Sequence, residues 1–455
     1  MRSIRHGLLV VAAVAVAMLG GAAPAFAHGG VVGQDLRVAA SLGERELTLI
    51  IRRVGAVPGP LRVDVVNHAG SPGGSLTVAV APRNAVPGAP VELPVPGGGG
   101  SAGVDLHVDR AGPWELRVDD GRETARFPFV VPAAVTPLPE RVVTGGYATA
   151  GALLIAALGA AAFGRRSWPA PVLGGGAGAA VVVAVTAGLL APQLPAPEVD
   201  PATGLPLTTR PGTAAMAPPH VGLLAAAAPV AGERSPIDLR LVDGGTGRPV
   251  DDLVVHHDAL LHLVVLGPGG QFAHLHPVRT GPGEYRVWFR PASGGEHRLH
   301  AELERRGGGV QLASATVRAD GPVAAEPVPA GVGERDAGGM TARITASSLV
   351  AGEPSVLTAE FGVDGRPVRD LQPWLGMAGH LITAGPGGTV GHVHAMPDPT
   401  AAAPDETVAT GGPRVEFVYT FPTPGRHRLW FQVERGYRIV TVPVEVDVAA
   451  PEVGS

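Results

Sequence analysis

Apolar and polar residues alternate in short runs from Val31 to about Val131, and again from residue 233 to residue 449. Leu47-Thr48-Leu49-Ile50-Ile51, Leu61-Arg62-Val63-Asp64-Val65 and Trp114-Glu115-Leu116-Arg117-Val118 are examples, separated by Gly- and Pro-rich turns such as Pro96 to Gly100. A period of two sends successive side chains to opposite faces of a strand, so each run predicts a strand with one buried face. Two stretches break the period. Residues 142–163 and 171–191 are apolar throughout and rich in Gly and Ala. At about 1.5 Å per residue, about 20 residues suffice to cross a bilayer, and small side chains let two such helices pack closely.

Short strands at this spacing, joined by Gly/Pro turns, predict a mainly β protein of three Ig-like β-sandwich domains plus a two-helix transmembrane hairpin. The division expected is a signal peptide at 1–27, an N-terminal sandwich at 28–135 and the hairpin at 142–192. A Pro/Ala-rich linker at 193–232 and two further sandwiches at 233–320 and 333–449 follow. Residues 1–27 carry Arg2 and Arg5, an apolar run from Gly7 to Leu19 and the small-x-small site Ala25-Phe26-Ala27, the pattern of a secretory signal. Arg165 and Arg166 lie between the two spans, while Glu198 and Asp200 follow the second. The positive-inside rule then puts residues 164–170 in the cytoplasm and both large regions on the extracytoplasmic side of the cell membrane.

The last two sandwiches are a repeat. Leu261 to His276 reads LHLVVLGPGGQFAHLH, and His380 to His394 reads HLITAGPGGTVGHVH. At an offset of 118 residues, His262, His274 and His276 fall on His380, His392 and His394, and Gly267-Pro268-Gly269-Gly270 falls on Gly385-Pro386-Gly387-Gly388. Both copies also carry Gly-Arg-Pro-Val (Gly247 to Val250, Gly365 to Val368) upstream. Both close on a strand pair, Tyr285 to Phe289 with His297-Arg298-Leu299, and Val415 to Tyr419 with His427-Arg428-Leu429. The second copy has an insertion, Pro397 to Pro404. The neighbours of the three histidines differ between copies (Phe272 against Val390, Leu266 against Ala384) while the histidines do not.

Imidazole is a common ligand of zinc and copper. In His-x-His on a strand both rings project to one face, about 7 Å apart at Cα, so both can reach one ion. The expected ligands are His262, His274 and His276, with His297 as a fourth, and likewise His380, His392, His394 and His427. Parity makes this conditional. Directly opposed residues of an antiparallel hairpin share a face, so a two- or four-residue loop would put His262 opposite Leu275 and away from the other two. A three- or five-residue loop, or a Gly bulge, joins them, and the Gly-rich turn predicts that odd register. The alternative is that the histidines tie the Gly-rich turn to the strand behind it, or titrate as a pH-responsive cluster. Met377 and Met396 flank the second cluster and their thioethers suit Cu(I). His256-His257 and His300 have no counterpart in the second copy, where Trp374, Leu375 and Trp430 stand, and are expected at the surface or as auxiliaries. Met216 to His220 is expected to be linker.

The pattern of Gly-x-Pro-Val, a His-bearing apolar strand, His-x-His and a closing strand resembles the YtkA-like and FixH-like β-sandwich domains. These belong to extracytoplasmic bacterial proteins associated with copper handling or oxidase assembly. The resemblance covers both repeats, about two-fifths of the chain, and implies an extracytoplasmic location and metal handling. Cleavage after Ala27 would leave His28 as an amino-terminal residue whose amine and imidazole could hold one Cu(II). This resembles copper chaperones of the CopC type and the brace of copper polysaccharide monooxygenases, with His68 or His107 as third ligand.

Composition narrows the chemistry. With no cysteine, disulfides, blue-copper sites, zinc fingers and Fe–S clusters are excluded. A net charge of -5 without a basic stripe argues against nucleic acid as a partner. No nucleophile elbow, phosphate loop, His-Glu-x-x-His or dinucleotide fingerprint occurs, so no catalytic residue is assigned. The sequence thus supports a membrane-anchored protein that binds a copper or zinc ion and serves an envelope or metal-acceptor partner. The alternative is a metal-free envelope interaction module.

Overall fold

The computed structural model describes residues 35–52, 54–133, 138–163, 169–191, 219–324, 328–395 and 406–451. The chain is mainly β; the described residues form six sheets and two long helices. The secretory signal, His28, Met396, most of the inter-span loop and the insertion of the second repeat lie outside the described residues.

The N-terminal sandwich contains β1 (Leu36–Leu42), β2 (Arg45–Ile51), β3 (Gly59–Asn67), β4 (Gly74–Pro82), β5 (Val91–Val95), β6 (Gly100–Val108), β7 (Gly112–Asp119) and β8 (Thr124–Val131). Its sheets run β1-β2-β3-β6 and β5-β4-β7-β8. The alternation read from sequence is what buries Leu61, Val63 and Val65 on one side of β3 and leaves Arg62 exposed on the other.

The two apolar stretches are helices α1 (Leu138–Phe163) and α2 (Pro169–Leu190), each long and apolar enough to cross a membrane. They pack on each other through small residues. A Cβ placed on Gly146 would lie 2.8 Å from the Cβ of Ala184, a separation only glycine allows.

The first repeat holds β9 (Val221–Ala226), β10 (Ser235–Asp243), β11 (Leu253–Val254), β12 (His262–Leu266), β13 (Phe272–Leu275), β14 (Val278–Gly281), β15 (Glu284–Phe289), β16 (Gly295–Arg305) and β17 (Gly309–Ala319). One sheet runs β14-β15-β10-β9. The other is built on β16, which pairs with β11, β12 and β17, while β12 also pairs with β13. The expected linker is therefore too long: Val221–Ala226 pairs along β10 from Asp238 to Asp243, because Val221 and Leu223 bury on the sandwich core.

The second repeat holds β18 (Gly333–Asp336), β19 (Thr341–Ala346), β20 (Pro354–Val363), β21 (Arg366–Pro367), β22 (Leu371–Gln372), β23 (His380–Ala384), β24 (Val390–His394), β25 (Arg414–Thr420), β26 (Gly425–Arg435) and β27 (Arg438–Val448). Its histidine-bearing sheet repeats that of the first copy, with β26 pairing with β22, β23 and β27, and β23 with β24.

The three sandwiches meet. Ser41 of β1 donates its backbone N–H to the His276 carbonyl (2.8 Å), and the His276 N–H returns a bond to the Ser41 hydroxyl (2.9 Å). The Ala69 N–H donates to the Tyr437 carbonyl at 2.5 Å. Arg279 bridges Glu115 of β7 (3.1 Å) and Asp251 (2.7 Å) in a buried ion network. Between the repeats, Phe272 stacks on Trp430 with ring centroids 4.5 Å apart and planes at 12°, over an apolar patch of Val264 and Ile382.

Candidate metal centre

The hairpin turn decides which face the histidines share. Gly269 and Gly387 have φ of 71° and 74°, a left-handed conformation that glycine takes without strain. The loop between β12 and β13 is Gly267 to Gln271, five residues, so Leu263 opposes Leu275 and Val264 opposes His274. The same register brings His262 opposite His276, with ring centroids 5.1 Å apart. In the second repeat His380 opposes His394 directly. The odd register expected from the turn is the one found, and all three histidines of each copy share a face.

That face is the one on which the repeats meet. The rings of His262 and His392 lie 4.7 Å apart, those of His274 and His392 5.1 Å, and those of His274 and His380 6.3 Å. Ligand atoms of the two copies therefore come together. The ligand atoms that fall within 4.8 Å of one another are those of His262, His274 and His392, drawn from both copies, and those of His257, His392 and His394. His256, His257 and Glu302 form a third such group.

His297 and His427 are not in the centre. His262 pairs with Glu302 across β16, so the centre-facing residues of that strand are Arg298, His300 and Glu302, and His297 points to the opposite face, into the core. There it contacts Gln271 through Nε2 and the Gly295 carbonyl through Nδ1. A Cβ on Gly267 would lie 2.6 Å from its ring, so this histidine is the platform on which the turn rests. His427 does the same for Gly385, where the distance is 2.5 Å, and donates to the Thr423 carbonyl at 2.8 Å. The alternative role weighed for the histidines, tying the Gly-rich turn to the strand behind, belongs to these two.

Hydrogen-bond partners assign the tautomers. His262 Nε2 lies 3.2 Å from the His256 carbonyl and His380 Nε2 lies 3.0 Å from the Trp374 carbonyl. A carbonyl only accepts, so both rings carry their proton on Nε2 and present a bare Nδ1. Each bare Nδ1 faces another ring nitrogen at 3.2 Å: His262 Nδ1 faces His274 Nε2, and His380 Nδ1 faces His392 Nε2. The far nitrogens of those partners point across the interface. His274 Nδ1 lies 2.9 Å from Oε1 of Gln432, and His392 Nδ1 lies 3.6 Å from Oε1 of Glu302. Gln432 and Glu302 occupy equivalent positions on β26 and β16, and Gln432 of the second repeat orients His274 of the first. With its Nδ1–H directed at Gln432, His274 aims its Nε2 lone pair at the bare Nδ1 of His262, while Nδ1 of His392 is buried without a hydrogen-bond partner. Two nitrogens on one tetrahedral ion, with bonds of about 2.0–2.1 Å, are separated by about 3.3 Å.

The rings are held neutral. Burial, with neighbouring imidazoles, keeps His262, His380 and His392 well below the ordinary imidazole value. Burial and His276 bring His274 to about 3, and burial and His257 bring His394 to about 4. Nε2 of His276 and of His394 are buried without a hydrogen-bond partner. Negative charge comes from β16. Glu304 lies 2.9 Å from His256 Nδ1 and Glu302 3.6 Å from His257 Nδ1.

Of the two roles expected for His256 and His257, surface or auxiliary, their position fits the auxiliary one: the His257 ring lies 3.8 Å from that of His394. They sit on a tight turn closed by the His256–Ala259 bridge, with His257 and Asp258 at positive φ. Trp374 occupies the equivalent turn of the second copy, 4.9 Å from the His380 ring and 5.7 Å from that of His274. The adjacent pair of histidines just upstream of His262 was the available signal; only the packing of the repeats turns it inward. Met377 closes the Trp374 turn through its backbone, donating to the Trp374 carbonyl at 3.1 Å. His68 is occupied elsewhere, between Thr48 (2.9 Å) and the buried carboxylate of Glu434 (2.7 Å), and His107 is exposed near the other end of β3.

A family model described as "Domain of unknown function (DUF8832)" matches this chain twice, at residues 220–321 and 335–450. The two matches coincide with the two repeats. No curated protein matches the chain. Among solved structures the chain is similar to a tetra-tandem repeat in the extending region of a large adhesion protein, at 8% identity and TM-score 0.17, covering 91% of this chain and 74% of that one. It is similar to trypsin-activated alpha-2-macroglobulin from Escherichia coli at 9% identity and TM-score 0.17, covering 93% of this chain and 24% of that one. For the chicken CNTN1 FN1–FN3 domains the values are 9%, 0.14, 88% and 97%. At these scores the likenesses assign no function.

Proposed function

We propose that this chain is a membrane-anchored extracytoplasmic protein that binds copper or zinc between its two repeats, for handling, delivery or sensing of the ion. The observation that carries this is the facing pair of ring nitrogens at 3.2 Å in each hairpin, with outer nitrogens held by the His256 carbonyl, the Trp374 carbonyl and the Gln432 amide. Metal-bound histidines are oriented by such partners on the second ring nitrogen. An all-imidazole set with flanking carboxylates, in a chain without cysteine, suits zinc and copper. The two apolar helices and the Arg165-Arg166 loop support an anchor with the β-domains outside. Such a protein would hand its ion to, or take it from, an acceptor in the envelope.

Titration of the detergent-solubilised full chain with Zn2+ and with Cu2+ tests the reading. Saturable binding of one or two equivalents is expected. It should be lost in His274→Gln/His392→Gln, which removes one nitrogen from each facing pair. Weak, non-stoichiometric binding that this double variant leaves unchanged would refute it, and would favour the metal-free interaction module.

A further inference from the structure

The two halves of the centre are related by the repeat, but the approaches to them differ. On one side, Phe272 and Trp430 stack and close the interface. The equivalent positions on the other side are Val390 and His300, which leave no second ring to stack. A cavity of about 300 Å³ opens there instead. Its lining includes His262 and His392, whose side chains are almost fully buried, together with Glu302 and His300. Leu312, Ser314 and Thr389 line the same cavity and are exposed, so it runs from solvent to two histidines of the centre. Nε2 of His300 is buried and has no hydrogen-bond partner. A buried imidazole nitrogen without a partner is costly to keep unless something visits it.

A second cavity, of about 230 Å³, reaches the centre from the opposite flank. The only histidine lining it is His274, whose Nδ1 is taken by Gln432, and its walls include the rings of Phe272 and Trp374. It offers no free imidazole nitrogen on the way in.

We infer that the first cavity is the exchange portal of the centre. His300 is the transfer ligand that first takes a hydrated or small-ligand-bound zinc or copper cation and passes it to His262 and His392. This rests on the metal reading above. The repeat built two equivalent approaches, and the substitutions at 272/390 and 300/430 left one without a free imidazole nitrogen and equipped the other. A ligand that hands an ion on governs rates more than equilibrium occupancy.

The test uses the solubilised full chain, with uptake of Zn2+ followed by stopped flow and release followed by transfer to a chromogenic chelator. His300→Trp/Val390→Phe rebuilds the stack on the open side. It should keep the wild-type stoichiometry while slowing both uptake and release at least tenfold. His300→Gln, a smaller change, should slow both by a lesser factor. Ile439→Trp, which fills the second cavity from its partly buried wall, should leave both rates unchanged. Unchanged rates in His300→Gln and in the stack-restoring variant would overturn the portal. So would slowing by Ile439→Trp alone, and loss of stoichiometric binding in His300→Gln would make His300 a resident ligand rather than a transfer one. Absence of binding in the unmodified chain would instead overturn the metal reading itself.

Discussion

Gln432→Leu is the substitution that weighs the cross-repeat orientation of the centre. Gln432 is buried and belongs to the second repeat, yet its amide oxygen lies 2.9 Å from Nδ1 of His274 in the first. Its amide nitrogen also donates to the Thr441 hydroxyl at 3.1 Å. Leucine preserves the bulk and removes the acceptor. The His274 N–H would then be buried without a partner, at about 1–3 kcal/mol. The ring could escape that penalty only by moving its proton to Nε2, the atom that faces His262. Either way the lone pair at Nε2 becomes harder to present. Loss of an orienting partner typically lowers metal affinity 10–100-fold, about 1.4–2.7 kcal/mol. Gln432→Glu gives the opposite perturbation, since a carboxylate only accepts and Glu302 already stands at the equivalent position facing His392. The Gln432→Glu variant should therefore bind at least as tightly as the natural chain, and the Gln432→Leu variant about 10–100-fold more weakly. Competition against a chelator of known affinity at neutral pH measures this, with thermal unfolding of the metal-free variants as the folding control. If the leucine variant remains folded and binds within about twofold of the natural chain, the orientation argument is wrong.

Two further outcomes follow from the same geometry. His262, His274, His380, His392 and His394 all have lowered values in the folded chain, so below about 6.5 the unfolded chain binds more protons and stability rises with pH. For His274 alone, the fall to about 3 corresponds to on the order of 5 kcal/mol of stability, gained as pH rises from about 3 to 6.5. Burial raises Glu406 to about 7, so its contribution has the opposite sign and is lost between about 4.5 and 7. His68 also opposes the trend: burial would lower it, but the hydrogen bond and charge of Glu434 outweigh that and raise it. His256, His297 and His300 are lowered as well, and Glu123 and Asp258 are raised against them; the histidines prevail, so urea unfolding of the metal-free chain should show stability climbing from about pH 4 to 6.5, and a flat or falling profile would contradict the burial of the cluster. His297→Ala and His427→Ala should each destabilise by about 1–3 kcal/mol through the unsupported turn, measured by urea unfolding. Neither should change the number of ions bound, and a lost equivalent in either would return that residue to the ligand set.

Much of the architecture was legible because it rests on local periodicity. Alternation along Leu61 to Val65 buries one side of β3 whatever packs beyond it, and the apolar runs at 142–163 and 171–191 have no solution but a long helix with small residues at its contact. The β9 strand was missed because Val221-Gly222-Leu223-Leu224-Ala225-Ala226 sits at the end of a Pro/Ala-rich stretch and shows its strand character only when paired along β10. Strand parity separated His262, His274 and His276 from His297, but only once the pairing of β12 with β16 was known. The sequence carries His297 and His427 at matched positions for a real reason, the support of a glycine turn, which spacing cannot distinguish from ligation.

What the sequence determined by itself is the repeat, the odd hairpin register and the absence of thiolate chemistry. These depend on residue identity and on a turn only a few residues long. What only the tertiary structure decided is that the two histidine faces meet each other rather than standing alone. That meeting brings His392 to His262 and His274, turns His256 and His257 inward, and makes Gln432 the hydrogen-bond partner of His274 in the opposite repeat. The physical reason is that these contacts join residues far apart along the chain. They are fixed by the apolar patch of Val264, Ile382 and Trp430, whose burial chooses the interface without leaving any periodic mark along the chain.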